Sequence, residues 1–122
     1  MKIYVAHSRD FDYLNELYKP IREDDYFNQY DIILPHEKEW PNNTREYYKS
    51  IDLFIAECSY MATGLGIELG FAFDDGTPIY CLHRFDKKIS GSIYAVTNNI
   101  YEYHDKEEMV KILKRIIEKS NQ

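Results

Sequence analysis

The sequence predicts a single-domain α/β protein built around a parallel β-sheet, and three observations lead to that prediction. The chain has 122 residues, 44% of them hydrophobic, which is enough for one core of ordinary size. Its apolar runs are mostly continuous rather than alternating, which is typical of strands covered on both faces. Segments with helical spacing separate these runs, so strands and helices alternate. Residues 1–122 are therefore expected to form one domain.

The strands come from five apolar runs bounded by turn residues. These runs are residues 3–6, 31–34, 53–56, 79–82 and 99–103. Short connections and right-handed crossovers favour a flavodoxin-like three-layer sandwich, in which a five-stranded parallel sheet has the order 2-1-3-4-5. Helices then cover both faces of the sheet.

Four segments with helical spacing predict the helices between and after the strands. The first is expected to end at Pro20, because proline breaks the interior of a helix. The second covers residues 43–50. The apolar positions of the first, third and fourth are, in turn, Phe11, Leu14 and Tyr18; Leu65, Leu69, Ala72 and Phe73; and Met109, Ile112, Leu113 and Ile116. Asp105 and Glu108 form a capping box at the start of the fourth helix.

Charge and composition argue against several classes of function. The net charge is −6, from 15 basic and 21 acidic residues, and the acidic residues are scattered, so nucleic-acid binding is not expected. No apolar run is long enough for a signal peptide or a membrane span, which predicts a cytoplasmic protein that does not bind membranes. Cys58 and Cys81 lie at or near the ends of strand-like runs and are expected to be buried, reduced thiols.

All four histidines fall near the carboxyl ends of predicted strands, where open α/β sheets bind ligands. They are His7, His36, His83 and His104. Strands also end where polar loops begin, which explains the same placement without any shared role. Because the spacing of the histidines resembles no compact metal site, we expect no metal.

The segment from Asp52 to Gly70 runs from a buried strand through a loop of small residues into a helix. Gly64 and Gly66 would let the backbone approach a ligand. Glu68 lies on the same helix, with small residues four positions away on either side, so its face of the helix is expected to be open. A carboxylate there suits attack on a sugar carbon, although an exposed, helix-favouring glutamate fits the spacing equally well.

The region around Glu68 resembles the central motif of nucleoside 2-deoxyribosyltransferases and of the related 2'-deoxynucleoside 5'-phosphate N-hydrolases. The matching segments are residues 55–57 (IAE), 63–70 (TGLGIELG) and 78–82 (PIYCL). The resemblance implies a flavodoxin-like fold, no cofactor, and Glu68 as the nucleophile on the anomeric carbon of deoxyribose. Residues 2–8 (KIYVAHS) are similar to the first strand of the family, which implies that Tyr4 hydrogen-bonds the nucleophile and thereby lowers its pKa.

The resemblance also implies where the substrate binds. His7, Ser8 and Arg9 in the loop after the first strand are candidate binding residues, although His7 stands where the family usually has glycine. Asp10 in this loop would repel a phosphate, so we expect an uncharged deoxynucleoside to be preferred, or little discrimination between it and its 5'-monophosphate.

Ser90 and Ser92 match a loop that, in some of the phosphohydrolases, reaches the phosphate of a neighbouring subunit, which implies a homodimer or a larger homo-oligomer. The family places an aspartate that handles the departing base opposite Thr44 of this chain. The proton donor is therefore unassigned, and Glu46, Glu39 and His36 are weak substitutes for it.

The function predicted from these residues is cleavage or transfer of the N-glycosidic bond of a deoxynucleoside or deoxynucleotide through a covalent glycosyl-Glu68 intermediate. The small-molecule partner is then a nucleoside or nucleotide. One alternative is a non-catalytic nucleotide-binding or signalling module of the same fold, which the missing aspartate favours. Another is an NAD-cleaving domain, because residues 4–10 (YVAHSRD) also resemble the first strand and loop of Toll/interleukin-receptor-like domains.

Overall fold

A computed structural model describes residues 1–38 and 45–122. Its strands are β1 (Lys2–His7), β2 (Asp31–Ile33), β3 (Leu53–Glu57), β4 (Ile79–Arg84) and β5 (Ile100–Tyr103). All neighbouring strands are parallel and the sheet order is β2-β1-β3-β4-β5, which confirms the predicted topology. The register places His7 at the end of β1 beside Glu57 at the end of β3.

Four α-helices accompany the strands in the described residues: α1 (Lys19–Arg22), α2 (Arg45–Tyr48), α3 (Thr63–Asp74) and α4 (Lys106–Ser120). A π-helical turn at Leu14–Tyr18 runs directly into α1, and 3₁₀ turns occupy Asp25–Gln29 and Gly91–Ala95. The beginning of the second predicted helix, residues 43–44, lies outside the described residues.

The first predicted helix does not end at Pro20, so that prediction was wrong. The π-helical turn closes with the Lys19 amide bonded to the Leu14 carbonyl, and Pro20 follows in the first turn of α1. An amide hydrogen is not needed at that position, so proline is tolerated there. The helical path therefore continues to Arg22.

One of the two contacts expected for a capping box is present at the start of α4. The Asp105 side chain accepts a hydrogen bond from the Glu108 amide at 2.8 Å. The Glu108 carboxylate reaches one residue further back than expected, because it accepts from the amide of His104 at 2.7 Å. Both contacts satisfy amides at the end of β5 or the first turn of α4 and fix where the helix begins.

The sheet is buried on both faces, which explains the continuous apolar runs. One face packs against α1 and α4, where α4 contributes five buried side chains. The other packs against α2 and α3, through residues such as Phe54, Leu65 and Leu69. Cys58 and Cys81 are buried and unpaired in this second layer, as expected. Within the described part of the chain, no helix is long and apolar enough to cross a membrane.

Candidate active site

A cavity of about 810 Å³ opens at the carboxyl ends of β1 and β2 and beside the first turns of α3. Its volume lies in the range of small-molecule sites. The residues that line it come from four segments of the chain: Tyr4, His7, Ser8, Arg9, Asp10, Pro35, His36, Lys38, Tyr48, Ala62, Gly64, Leu65, Ile67, Glu68 and Phe71.

Glu68 is the half-buried carboxylate of this cavity, and two phenols hold it. The Tyr4 hydroxyl donates to Oε2, and the Tyr48 hydroxyl donates to the same oxygen at 3.1 Å. The other oxygen, Oε1, has no hydrogen-bond partner among residues 1–38 and 45–122. The carboxylate is thus fixed through one oxygen, and the second is available to a bound molecule.

Burial raises the pKa of Glu68 above its ordinary value, and the hydrogen bonds from Tyr4 and Tyr48 only partly oppose this effect. The sequence predicted the lowering by Tyr4, which is present, but not the burial that outweighs it. Burial and the nearby Glu68 charge raise the pKa of Tyr4 in turn, so this phenol keeps its proton and remains a donor.

Tyr4 reaches Glu68 from the interior of the sheet. Side chains alternate along a strand, so Tyr4 and Ala6 point to the α3 face of β1 while Val5 points to the α4 face. The Tyr4 side chain is only 2% exposed, and its ring stacks on Phe54 of β3 at a centroid distance of 5.5 Å. Core packing and the hydrogen bond to Glu68 therefore act together at this position.

Tyr48 reaches the site because α2 is anchored to the end of α3. Arg45 donates to Asp75 at 2.6 and 2.9 Å and to Asp74 at 2.7 Å, and its guanidinium lies 4.7 Å from the centre of the Phe71 ring. These contacts hold a helix of only four residues, which is too short to be stable alone. Nothing in the local sequence marked Tyr48 as a partner of Glu68, so sequence reasoning missed it.

His7 has both ring nitrogens engaged. Nδ1 lies 3.0 Å from the Ser8 carbonyl, which only accepts, so Nδ1 carries the hydrogen. Nε2 then accepts from the Tyr18 hydroxyl at 2.7 Å. Burial is the main cause that lowers the pKa of His7, to about 4, which keeps the imidazole neutral at physiological pH. His7 forms a wall of the cavity and adds no charge to it.

The β1 loop is folded by its own hydrogen bonds. Ser8 is buried, and its Oγ accepts from the amide of Asp10 at 3.1 Å. Arg9 and Asp10 are exposed at the cavity, where they are joined by Lys38, a cation that sequence reasoning did not consider. Arg9 and Lys38 form no ion pair with any of the described residues.

The remaining predicted binding residues divide into two groups. Gly64 lines the cavity together with Tyr4, His7, Ser8, Arg9 and Glu68. Gly66, Ser90 and Ser92 lie outside its lining. Ser90 precedes the 3₁₀ turn at Gly91–Ala95 and Ser92 lies within it, beyond β4.

The predicted substitutes for the missing proton donor also fall in different places. His36 lines the cavity, whereas Glu46 is exposed outside it and pairs with Lys49 at 3.3 Å. Glu39 and Thr44 lie outside the described residues. Among the described residues, no group of three or more histidine, cysteine, aspartate or glutamate side chains could hold a metal ion.

Glu57, a second carboxylate, is buried beneath the loop that leads into α3, at 1% exposure. It accepts from the Ser59 amide at 2.7 Å, from the Ser59 hydroxyl at 2.9 Å and from the Tyr103 hydroxyl. Ser59 in turn accepts from the amide of Arg84 at 2.8 Å. This network ties the end of β3 to β4 and β5 and fixes the start of the loop that precedes α3.

Structural comparison shows what the fold is similar to. A CMP N-glycosidase of Clostridium botulinum, BcmB, matches with a TM-score of 0.63 and 20% identity, over 93% of this chain and 99% of that one. A conserved protein of Enterococcus faecalis V583 matches with a TM-score of 0.68 and 18% identity, over 94% and 98% of the two chains. No protein-family model and no curated protein sequence matches the chain. At these identities the likeness shows the fold alone, which is the three-layer α/β sandwich with the sheet order expected from the sequence.

Proposed function

We propose that this protein cleaves or transfers the N-glycosidic bond of a nucleoside or nucleotide, with Glu68 as the nucleophile on the anomeric carbon. The observation that carries the proposal is the way the carboxylate is held. Tyr4 and Tyr48 both bind Oε2, Oε1 has no partner among the described residues, and the side chain lines a cavity of about 810 Å³. A carboxylate fixed through one oxygen is suited to attack with the other.

The reaction would proceed through two displacements. Attack by Oε1 forms a bond to the anomeric carbon as the bond from that carbon to the base nitrogen breaks. Water or a free base then attacks the same carbon as its bond to Glu68 breaks, which restores the carboxylate and gives free sugar or a new nucleoside, respectively. The phenols of Tyr4 and Tyr48 keep the carboxylate oriented during both steps.

The similarity to a CMP N-glycosidase supports a nucleotide substrate and widens the choice of sugar. Residues around Glu68 resemble enzymes of deoxynucleoside chemistry, whereas CMP contains ribose. The substrate panel should therefore contain deoxynucleosides, their 5'-monophosphates, the ribose counterparts of both, and NAD.

The test is release of free base from this panel, followed by chromatography. We expect release from at least one nucleoside or nucleotide, and a loss of about a thousandfold or more in Glu68→Gln, which keeps the shape of the side chain. Release of nicotinamide from NAD alone would favour the NAD-cleaving alternative. Tight binding without any release would favour the non-catalytic module.

A trapping experiment tests the covalent step separately. A 2-deoxy-2-fluoro nucleoside slows breakdown of the intermediate, so the mass of the sugar should be added to a peptide that contains Glu68. Glu68→Gln is the matched control and should remain unlabelled. Label on a peptide from elsewhere in the chain would sink the assignment.

A further inference from the structure

A base that leaves a sugar carries its electron pair away on a ring nitrogen, and a proton donor beside that nitrogen accelerates the step. We propose that the imidazole of His36 is this donor. The assignment rests on the proposed function of Glu68, and it concerns a role that the missing aspartate had left open.

The position of His36 is the first argument. It follows β2 and lines the same cavity as Glu68. Its ring packs beside those of His7 and Tyr13, with centroids 5.1 and 5.2 Å away. Neither ring nitrogen has a hydrogen-bond partner among residues 1–38 and 45–122, so the imidazole is available to a bound molecule.

The backbone of His36 is held in place by Tyr18. The Tyr18 hydroxyl accepts from the His36 amide at 3.0 Å and donates to Nε2 of His7 at 2.7 Å. One phenol therefore joins the ends of β1 and β2 at the cavity wall. Burial raises the pKa of Tyr18, and Glu68 is close enough to be among the charges that add to this effect. The Tyr18 hydroxyl that holds the backbone of His36 is therefore close enough to Glu68 for the two groups to interact electrostatically.

Other titratable groups near His36 are poorer donors. The ring nitrogens of His7 are engaged with Ser8 and Tyr18, and its pKa of about 4 leaves no proton to give at neutral pH. Glu37 lies outside the cavity lining and is held by Arg22 at 2.6 and 2.8 Å, which lowers its pKa.

Three further side chains of the cavity carry charge. Lysine and arginine side chains are poor proton donors at neutral pH, which argues against Lys38 and Arg9. Asp10 is an exposed carboxylate at the cavity and is the remaining competitor. It is therefore included in the test.

The proton balance over the two displacements is complete. As Glu68 bonds to the anomeric carbon, the electrons of the glycosidic bond move to the base nitrogen, which takes a proton from the His36 imidazolium. In the second displacement the neutral imidazole removes a proton from the attacking water. Both residues return to their starting states, and no further reactant is required.

This role has a consequence for the pH profile. The groups that surround His36 are Arg9, His7, Tyr13, Tyr18, Glu37 and Lys38, with Glu68 across the cavity. Burial lowers the pKa of His36 and the positive charge of Arg9 lowers it further. The imidazolium form is therefore lost as the pH rises toward neutrality, and activity on a substrate that needs the proton should fall with it.

The experiment compares two leaving groups on the same sugar. One substrate is the nucleotide or nucleoside that the unmodified protein cleaves best, and the other is the 4-nitrophenyl β-glycoside of its sugar. 4-Nitrophenolate departs without a proton. In His36→Gln we expect kcat/KM on the first substrate to fall about a hundredfold or more and kcat/KM on the second to change less than about threefold, because kcat/KM reports departure of the leaving group and not the later attack of water on the shared intermediate. The alkaline limb should be absent from the pH profile of the second substrate.

Three controls make the result decisive. His104→Gln changes an exposed histidine outside the cavity and should leave both activities unaltered. His36→Ala should regain activity on the first substrate when imidazole is added. Equal losses on both substrates in His36→Gln, no loss on either, or a leaving-group-dependent loss in Asp10→Asn instead, would each overturn the assignment. Failure of the unmodified protein to cleave any substrate would overturn the proposed function of Glu68, and this assignment with it.

Discussion

The hydroxyl of Tyr4 donates a hydrogen bond to the carboxylate of Glu68, and this contact joins β1 to α3 across 64 positions of the chain. It places the candidate nucleophile at the edge of the sheet where open α/β folds bind ligands. Tyr48 adds a second donor from α2. The carboxylate of Glu68 is therefore oriented by two elements, β1 and α2, that are far apart in sequence.

Replacement of Tyr4 by phenylalanine should change the pH dependence of base release. The hydrogen bond lowers the pKa of Glu68, so its loss raises that pKa, and the acid limb of kcat/KM should move to higher pH. We expect kcat at neutral pH to fall about tenfold or more, while the free energy of unfolding changes by no more than about 1–2 kcal/mol. Tyr48→Phe should shift the limb in the same direction. A large loss of stability with an unchanged profile would show that Tyr4 only packs the core.

Ionisation of Glu68 should also reduce the stability of the folded protein as the pH rises. Because burial raises its folded-state pKa above the unfolded value, the folded protein binds more protons between the two values, and stability falls as the pH rises through that range. Glu68→Gln removes this contribution. Its Tm at pH 7 should equal or exceed that of the unmodified protein, measured by thermal unfolding across the pH range. A Tm that falls sharply in the variant would contradict the sign of this argument.

Part of this organisation was predictable from the sequence. Five continuous apolar runs predicted the strands, because strands covered on both faces leave that pattern, and short right-handed connections predicted their order. The contact between Tyr4 and Glu68 followed from a resemblance rather than from spacing. Tyr48 lies on the four-residue α2 and Lys38 lies in a loop. Only tertiary contacts bring these two residues to the cavity. Nothing in the local sequence indicated that Glu68 is buried. Its pKa is therefore raised, whereas the sequence predicted that it would be lowered.

The two glycines at the start of α3 provide a matched pair. A Cβ added at Gly64 or at Gly66 meets no atom within 4 Å, so alanine should stabilise the helix by about 0.5–1 kcal/mol at either position. Only Gly64 lines the cavity. Gly64→Ala should therefore raise KM for the preferred substrate, whereas Gly66→Ala should leave KM unchanged. Steady-state kinetics beside chemical unfolding separates the two effects, and equal values of KM would show that the substrate does not approach Gly64.

The buried Glu57 network should contribute to stability. Tyr103→Phe removes a hydroxyl that donates to the Glu57 carboxylate, where burial already raises the pKa of that carboxyl. We expect a loss of about 1–3 kcal/mol in the free energy of unfolding, measured by urea denaturation. Tyr101→Phe is the control on the same strand, because its hydroxyl has no hydrogen bond to the described residues, and its effect should stay within about 0.5 kcal/mol. Equal effects would mean that Glu57 gains nothing from Tyr103.

The charges at the cavity should decide how strongly a phosphate is bound. The sequence suggested that Asp10 disfavours a 5'-monophosphate, but Lys38 and Arg9 line the same cavity and oppose that effect. The measurement that checks this is the ratio of kcat/KM for a nucleoside 5'-monophosphate to kcat/KM for the nucleoside. Asp10→Asn removes a negative charge and should raise the ratio, and Lys38→Met removes a positive one and should lower it. Each change should be about three- to tenfold, as expected for single charges at a partly solvated site.

Ionic strength provides the control for this electrostatic argument. Both shifts should shrink between 50 mM and 500 mM salt, because mobile ions screen exposed charges such as these. The nucleoside itself carries no charge, so its kcat/KM should be nearly the same in Asp10→Asn, in Lys38→Met and in the unmodified protein. A change in the nucleoside value as large as the change in the ratio would mean that these residues shape the cavity. Ratios that do not move in either variant would place the phosphate away from this loop, and the expectation drawn from Asp10 would then be wrong.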